Sequence, residues 1–290
     1  MENGLITETN DKKEISNKKW NDILEEIKLF RRKSMGNWIW FRGHNNEKYK
    51  LDSGLFRIEY KGKKLGLQEY LSIEKRLLVN FKNQSSTFIR EDNIDLQFHM
   101  QHHGLKTRLL DWTDSLGIAL YFAFEGWNYD SNNNACIWLL DPHALTSYLY
   151  NDPDIRTQDS FRGVEGIDEL SDVFLDSRIY SLPIYPSKNN ARLLAQHGYF
   201  TAQSNSKKDL EEELEYVCPK YKDKILKKIV LSTDLVEDIY EYLTLNGINR
   251  FSVFNDIDGL CHYLNKEFTE NAYDERLMRI AKFRNFEYEN

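Results

Sequence analysis

The sequence is poor in cysteine, in long apolar runs and in net positive charge, and each shortage narrows what the protein does. Cys136, Cys218 and Cys261 are its three cysteines, far apart and without a CxxC pair. That pattern argues against a zinc site built on thiolates and fits reduced thiols in a cytoplasmic compartment. No apolar run approaches membrane-spanning length; residues 116–124 come nearest and read as a buried helix. Residues 1–15 are polar and charged, so no signal peptide is expected. The formal net charge is −7 and the pI about 5.6. Holding nucleic acid by bulk electrostatics needs clustered Lys and Arg, so the balance argues against that mode and leaves a local patch open. Lys and Arg are dense at 28–33 and 220–228, and both runs read as solvated faces.

Signature loops are missing too. There is no GxSxG elbow, no GxxxxGK[ST] loop and no GxGxxG turn. A serine hydrolase, a P-loop nucleotidase and a Rossmann dinucleotide fold are therefore not expected. His102 and His103 are adjacent and point different ways on a helix, with no partner at metal spacing, so no metal is expected.

What is present is aromatic: 17 Tyr, 16 Phe and 6 Trp among 290 residues, enough to build a sizeable core. The chain reads as a loose lead-in over 1–16, a single main domain over 17–270 with an insertion or lid at 151–177, and a tail over 271–290. Trp20, Ile23, Leu24, Ile27 and Phe30 repeat at helical spacing after a cap at Ser16 or Asn17. Helices are also expected over 67–82, 95–103, 115–124, 190–197, 206–216, 233–245 and 257–268. Strands are expected at 38–43, 107–111, 135–140, 178–185, 199–202, 224–231 and 250–254. Few strand–helix–strand units suit a regular parallel sheet. The expectation is mixed α/β (α+β): a curved, partly antiparallel sheet flanked by helices.

Four segments mix rigid aromatics with a few polar groups at the ends of elements, as ligand pockets do. They are residues 38–44, 101–113, 119–123 and 192–200. The runs WFRGH, QHHGLKTRLLDWTDSLGIALYFA, ARLLAQHGYF and FNDIDGLCHYL resemble the FRG domain, a bacterial family named for its Phe-Arg-Gly motif, over residues 37–264. Asn255 stands where a Pro would be expected.

The resemblance implies a toxin or effector of anti-phage or toxin–antitoxin systems. Its motif order is similar to that of ADP-ribosyltransferases, which consume NAD without a Rossmann fingerprint. On that likeness Arg42 would hold NAD, Thr107 would follow on a second strand, and Tyr121 would stack on the nicotinamide. The fourth position lacks its Glu; Gln203 is the long polar side chain there. Asp111 is the candidate to stabilise positive charge on the ribose, with Asp256 and Asp258 as alternatives. Arg42, Tyr121 and Asp111 are thus the candidate catalytic residues. Arg42, Gly43, Gln101, His103, Thr107, Arg108, Tyr121, Arg192 and Gln196 are the candidate NAD-binding residues. The same residues admit plainer roles: Arg42 in an ion pair with Asp111, Thr107 as an ordinary strand residue, Tyr121 in the core, Gln196 capping the turn at Gly198. The implied function is transfer of ADP-ribose to a protein or RNA acceptor, with a neutralising antitoxin as partner and no membrane. The alternative is a non-catalytic sensor of a nucleotide or a phage-derived partner.

Overall fold

A computed structural model describes residues 2–89, 91–131, 133–176, 178–187 and 191–270. Helix α1 spans Glu2–Lys33 and sets Trp20, Ile23, Ile27 and Phe30 against the largest core cluster. It starts well before Ser16, where the sequence suggests a loose lead-in, because no Pro interrupts residues 2–16. Gly36, at φ 85°, turns the chain out of the helix. Then come β1 (Trp40–His44), β2 (Glu59–Tyr60), β3 (Lys63–Lys64), α2 (Leu67–Ser85), α3 (Asn93–His102), β4 (Leu109–Thr113), α4 (Leu116–Phe124), β5 (Ala135–Leu140) and α5 (Pro142–Tyr150). The second half holds β6 (Arg156–Thr157), α6 (Leu170–Val173), β7 (Leu182–Tyr185), α7 (Ala191–Ala195), β8 (Gly198–Ala202), α8 (Leu210–Val217), α9 (Lys222–Ile225), β9 (Leu226–Leu231), α10 (Val236–Leu245), α11 (Arg250–Phe254) and α12 (Ile257–Asn265).

One seven-stranded sheet runs in the order β6-β7-β8-β4-β1-β5-β9, and β2 with β3 makes a separate hairpin. Among the described residues only β6 and β7 pair in parallel. The fold is mixed α/β, a mostly antiparallel open sheet flanked by helices. Four of the segments expected as strands, at 38–43, 107–111, 135–140 and 178–185, supply β1, β4, β5 and β7 of this one sheet, with shifted ends. β5 is buried at every position, and β9 forms an edge. Among the described residues no helix is long and apolar enough to cross a membrane.

One expected strand gives way to a helix. Residues 250–254 form α11 and not a strand. Asn249 accepts from the Ser252 backbone while Ser252 accepts from the Asn249 backbone, a reciprocal cap that fixes a first helical turn. The expected insertion or lid at 151–177 is largely exposed over its described residues and is anchored by Phe161, Leu170, Val173 and Phe174, buried in a cluster with Phe98 and Phe200. The expected tail at 271–290 lies outside the described residues.

The sheet has one weak seam. β1 pairs with β5 along its length, from Trp40↔Leu140 to His44↔Cys136. β4 pairs with β8 just as fully, from Leu109↔Ala202 to Thr113↔Gly198. Yet β1 and β4 meet only at Phe41↔Thr113. Beyond that pair the strands diverge, and the backbone groups along the gap must find other partners.

Candidate functional site

The gap between β1 and β4 opens into a cavity of about 630 Å³, within the range that holds a small organic ligand. Helix α4 forms one wall. It lies so close to β1 that a Cβ on Gly43 would fall 1.8 Å from the Ala119 carbonyl oxygen. Only glycine permits that approach. Gly43 also lines the cavity.

Arg42 bridges the gap. Its Nε donates to His44 Nε2 at 2.9 Å, and its Nη1 donates to the Asp111 backbone carbonyl at 2.7 Å. Nη1 also stands 3.7 Å from the Asp111 carboxylate. Nη2 has no hydrogen-bond partner among the described residues. Burial pulls the Arg42 pKa down to about 10, against the pull of Asp111, so the group stays charged at neutral pH. Burial, and then the Arg42 charge, push His44 down to about 3. His44 is therefore neutral, and its Nε2 is free to accept from Arg42.

Asp111 is held from the other side. Gln101 Nε2 donates to Asp111 Oδ2 at 2.8 Å. The Gln101 amide is oriented in turn by Thr107, whose hydroxyl donates to Gln101 Oε1 at 2.6 Å and accepts from the Leu109 backbone at 3.1 Å. The Asp111 side chain remains 56% exposed, and its Oδ1 has no hydrogen-bond partner among the described residues.

Three more cations stand on the wall. Arg57, Lys106 and Arg192 line the cavity with Arg42, and none of these three forms a carboxylate ion pair among the described residues. The Arg192 guanidinium sits 4.6 Å from the Phe254 ring centre, and Arg250 sits 4.7 Å from the same ring. Burial lowers the Arg192 pKa, opposed by Asp111 and Asp256. Burial, followed by the Arg192 charge, takes His102 down to about 4. Glu125 also lines the cavity but is engaged by Arg250 at 3.4 Å and Lys266 at 2.9 Å.

Of the residues singled out from the sequence, Arg42, Gly43, Gln101, Asp111, Arg192 and Gln196 meet at this cavity. Thr107 stands behind Gln101 and does not line it. Arg108 is fully buried in a two-point ion pair with Glu74, with bonds of 2.7 and 2.5 Å, and also reaches Gln203 and Asn205. That makes it a structural residue. His103 is exposed and off the cavity wall. Tyr121 is buried in the main core cluster, and its hydroxyl faces Glu125 and Arg250. Helical geometry sends Tyr121 and Phe122 apart, and Phe122 is the one that lines the cavity. Gln203 is tied to Ser53, Asp52 and Lys208. Asp256 caps α12, and Asp258 is exposed on its first turn. His44, Arg57, His102, Lys106 and Glu125 are lining residues that sequence reasoning did not select. His44 is legible afterwards as the end of the WFRGH run and Lys106 as part of the QHHGLKTRLLDWT run; Arg57 sits singly in a turn and carries no signal.

Residues 37–132 match the family model of the FRG domain, so the chain carries an FRG domain there. That span contributes β1, α4 and every cavity cation except Arg192. No curated protein matches the chain. No solved structure matches it either.

Proposed function

We propose that the cavity binds a phosphate-bearing nucleotide, with NAD as the substrate and an ADP-ribosyl group transferred to a protein or RNA acceptor. The observation that carries the reading is the charge of the wall. Arg42, Arg57, Lys106 and Arg192 surround the cavity in a chain of net charge −7. Cations collected where the whole chain is acidic favour a ligand with two or more negative charges, as a diphosphate has. Asp111 then has a role. Breaking the ribose C1′–nicotinamide bond sends the electron pair out with nicotinamide and leaves positive charge on the ribose. A fixed carboxylate stabilises that charge. The acceptor's nucleophile then bonds to C1′ and gives up its proton. Such an activity suits a toxin or effector of anti-phage or toxin–antitoxin systems, held in check by a neutralising partner.

A second reading, a sensor that binds the nucleotide without cleaving it, is favoured by Thr107 and Tyr121. Neither reaches the cavity wall. Labelled NAD, incubated with the protein and cell lysate, separates the readings. Label on protein or RNA supports transfer. Binding by calorimetry with no nicotinamide released supports the sensor. No binding of NAD by the wild-type protein sinks both for this nucleotide.

A further inference from the structure

The basic runs that the sequence makes conspicuous are partly neutralised. Lys28 pairs with Glu25, Lys227 with Glu26, and Lys222 with Glu211 and Glu215. A further group of cations without a carboxylate ion pair among the described residues runs from the cavity wall into the β2–β3 hairpin, which begins two residues after Arg57. Arg57 and Lys106 line the cavity and are exposed. Lys61 and Lys63 follow at the hairpin tip, exposed and with no carboxylate ion pair among the described residues. Beside them Tyr60 is 66% exposed, with the Lys61 ammonium 5.3 Å from its ring centre.

The hairpin is held firmly. The buried Tyr70 hydroxyl donates to the Ile58 carbonyl at 2.8 Å and accepts from the Leu65 backbone at 3.1 Å, so it clamps both legs. Lys64 pairs with Asp52 at 2.9 Å. The tip is a two-residue turn with Lys61 at φ 50° and Gly62 at φ 73°. Asn or Gly is favoured at the first of those positions, because a side chain such as lysine is strained there. A lysine at that position therefore presents charge at the expense of turn stability.

We infer that this hairpin, which follows the cavity-lining Arg57 in the chain, docks single-stranded RNA. Lysines contact the phosphates and Tyr60 supplies a face for a base to stack on. The inference rests on the nucleotide reading of the cavity for its purpose: it names the acceptor as RNA. Its physical content is a clamped hairpin that carries two exposed lysines and an exposed tyrosine a few residues on from the cavity-lining Arg57.

The test uses the full chain, a short fluorescein-labelled oligouridine, and anisotropy measured across a salt series. Lys61→Asn and Lys63→Gln are combined. The substitution at 61 suits the turn, so the thermal melt should hold or rise. RNA affinity should drop, and the slope of log K against log salt should flatten by about 1.4, roughly 0.7 for each phosphate left without its lysine. An unchanged slope and affinity would overturn the proposal. Tyr60→Ala should weaken binding roughly tenfold. If it has no effect, or if polyglutamate binds as tightly as RNA, the surface takes acidic polymers at large and the RNA assignment fails. Calorimetry with NAD on the same double variant keeps the two readings apart. Unchanged NAD binding alongside abolished RNA binding supports both. RNA binding without any NAD binding in the wild-type protein removes the cavity reading and leaves the docking surface.

Discussion

Arg42 donates its Nη1 hydrogen bond to the Asp111 backbone carbonyl at 2.7 Å, across the one place where the sheet comes apart. The side chain substitutes for a missing ladder bond and at the same time charges the cavity. Its Nε is held by His44 at 2.9 Å. A planar fork can make both bonds, whereas an ammonium on a flexible stem cannot. Arg42→Lys should therefore behave almost as badly as Arg42→Ala. Nucleotide affinity should fall roughly thirtyfold in either variant, for a charged hydrogen bond of about 2 kcal/mol. Calorimetry with NAD checks this, and wild-type affinity in Arg42→Lys would refute the bridging role. If the chain slows growth when expressed without a neutralising partner, Arg42→Ala should relieve it.

The neighbouring glycine fails differently. Gly43→Ala puts a methyl group where the Ala119 carbonyl stands, 1.8 Å from the new Cβ. Backbone cannot swing aside as a side-chain tip can, so α4 must lift from β1. Overpacking of this kind sits at or above about 3 kcal/mol. A lowered melting temperature should appear before any question of ligand arises. A Gly43→Ala protein as stable as the wild type would mean that α4 moves freely.

Much of this architecture is legible in the sequence, and the reasons are local. Residues 135–140 announce a buried strand because all six are apolar or cysteine. Residues 116–124 announce a buried helix because they are apolar all round and follow Ser115, whose side chain accepts from the Ile118 backbone. What could not be read depends on partners remote in sequence. Arg108 looks like a ligand residue beside Thr107 until Glu74 arrives from α2. Tyr121 and Phe122 are equally plausible wall residues until the close approach at Gly43 fixes which side of α4 faces β1. Phe251 and Val253 alternate like a strand, and only the Asn249–Ser252 cap decides for helix.

The Glu74–Arg108 pair gives a prediction about stability alone. Both side chains are at most 2% exposed. Removing one leaves the other charge buried without its partner, which costs about 3–5 kcal/mol. Arg108→Met or Glu74→Leu alone should be strongly destabilising in urea melts. The double variant should recover most of the loss, since a packed apolar pair can replace a buried ion pair. Additive losses would show that the two charges do not depend on each other.

His44 makes stability depend on pH. Its folded pKa is near 3, against about 6.5 when unfolded. Between those values the unfolded chain binds the extra proton and the folded chain does not. Stability is therefore fully present above about pH 6.5 and is lost as pH falls toward 3, by up to about 1.4 kcal/mol per pH unit. His102 adds to the same trend. Urea unfolding across this range should be less steep in pH for His44→Gln than for the wild type. Parallel curves would mean that His44 is protonated in the folded state.

The last relationship runs from Thr107 to Asp111 and decides whether Asp111 acts on the ribose or merely steadies Arg42. Thr107 fixes the Gln101 amide, so that its NH2 and not its oxygen meets Asp111 Oδ2. That leaves Oδ1 as the carboxylate oxygen with no hydrogen-bond partner among the described residues. If Asp111 stabilises charge that exists only as the glycosidic bond breaks, Asp111→Asn should keep NAD affinity and lower turnover by about a hundredfold or more. If it only steadies Arg42, affinity and turnover should fall together. Thr107 sharpens the choice because it does not line the cavity. Thr107→Val removes the donor that sets the amide and lets Gln101 flip, while Thr107→Ser keeps that donor. In a transferase, Thr107→Val should lower turnover with little change in KM, and Thr107→Ser should restore it. Equal behaviour of Val and Ser at 107, in proteins with matched melting temperatures, would show that the hydroxyl does not reach the chemistry through Gln101.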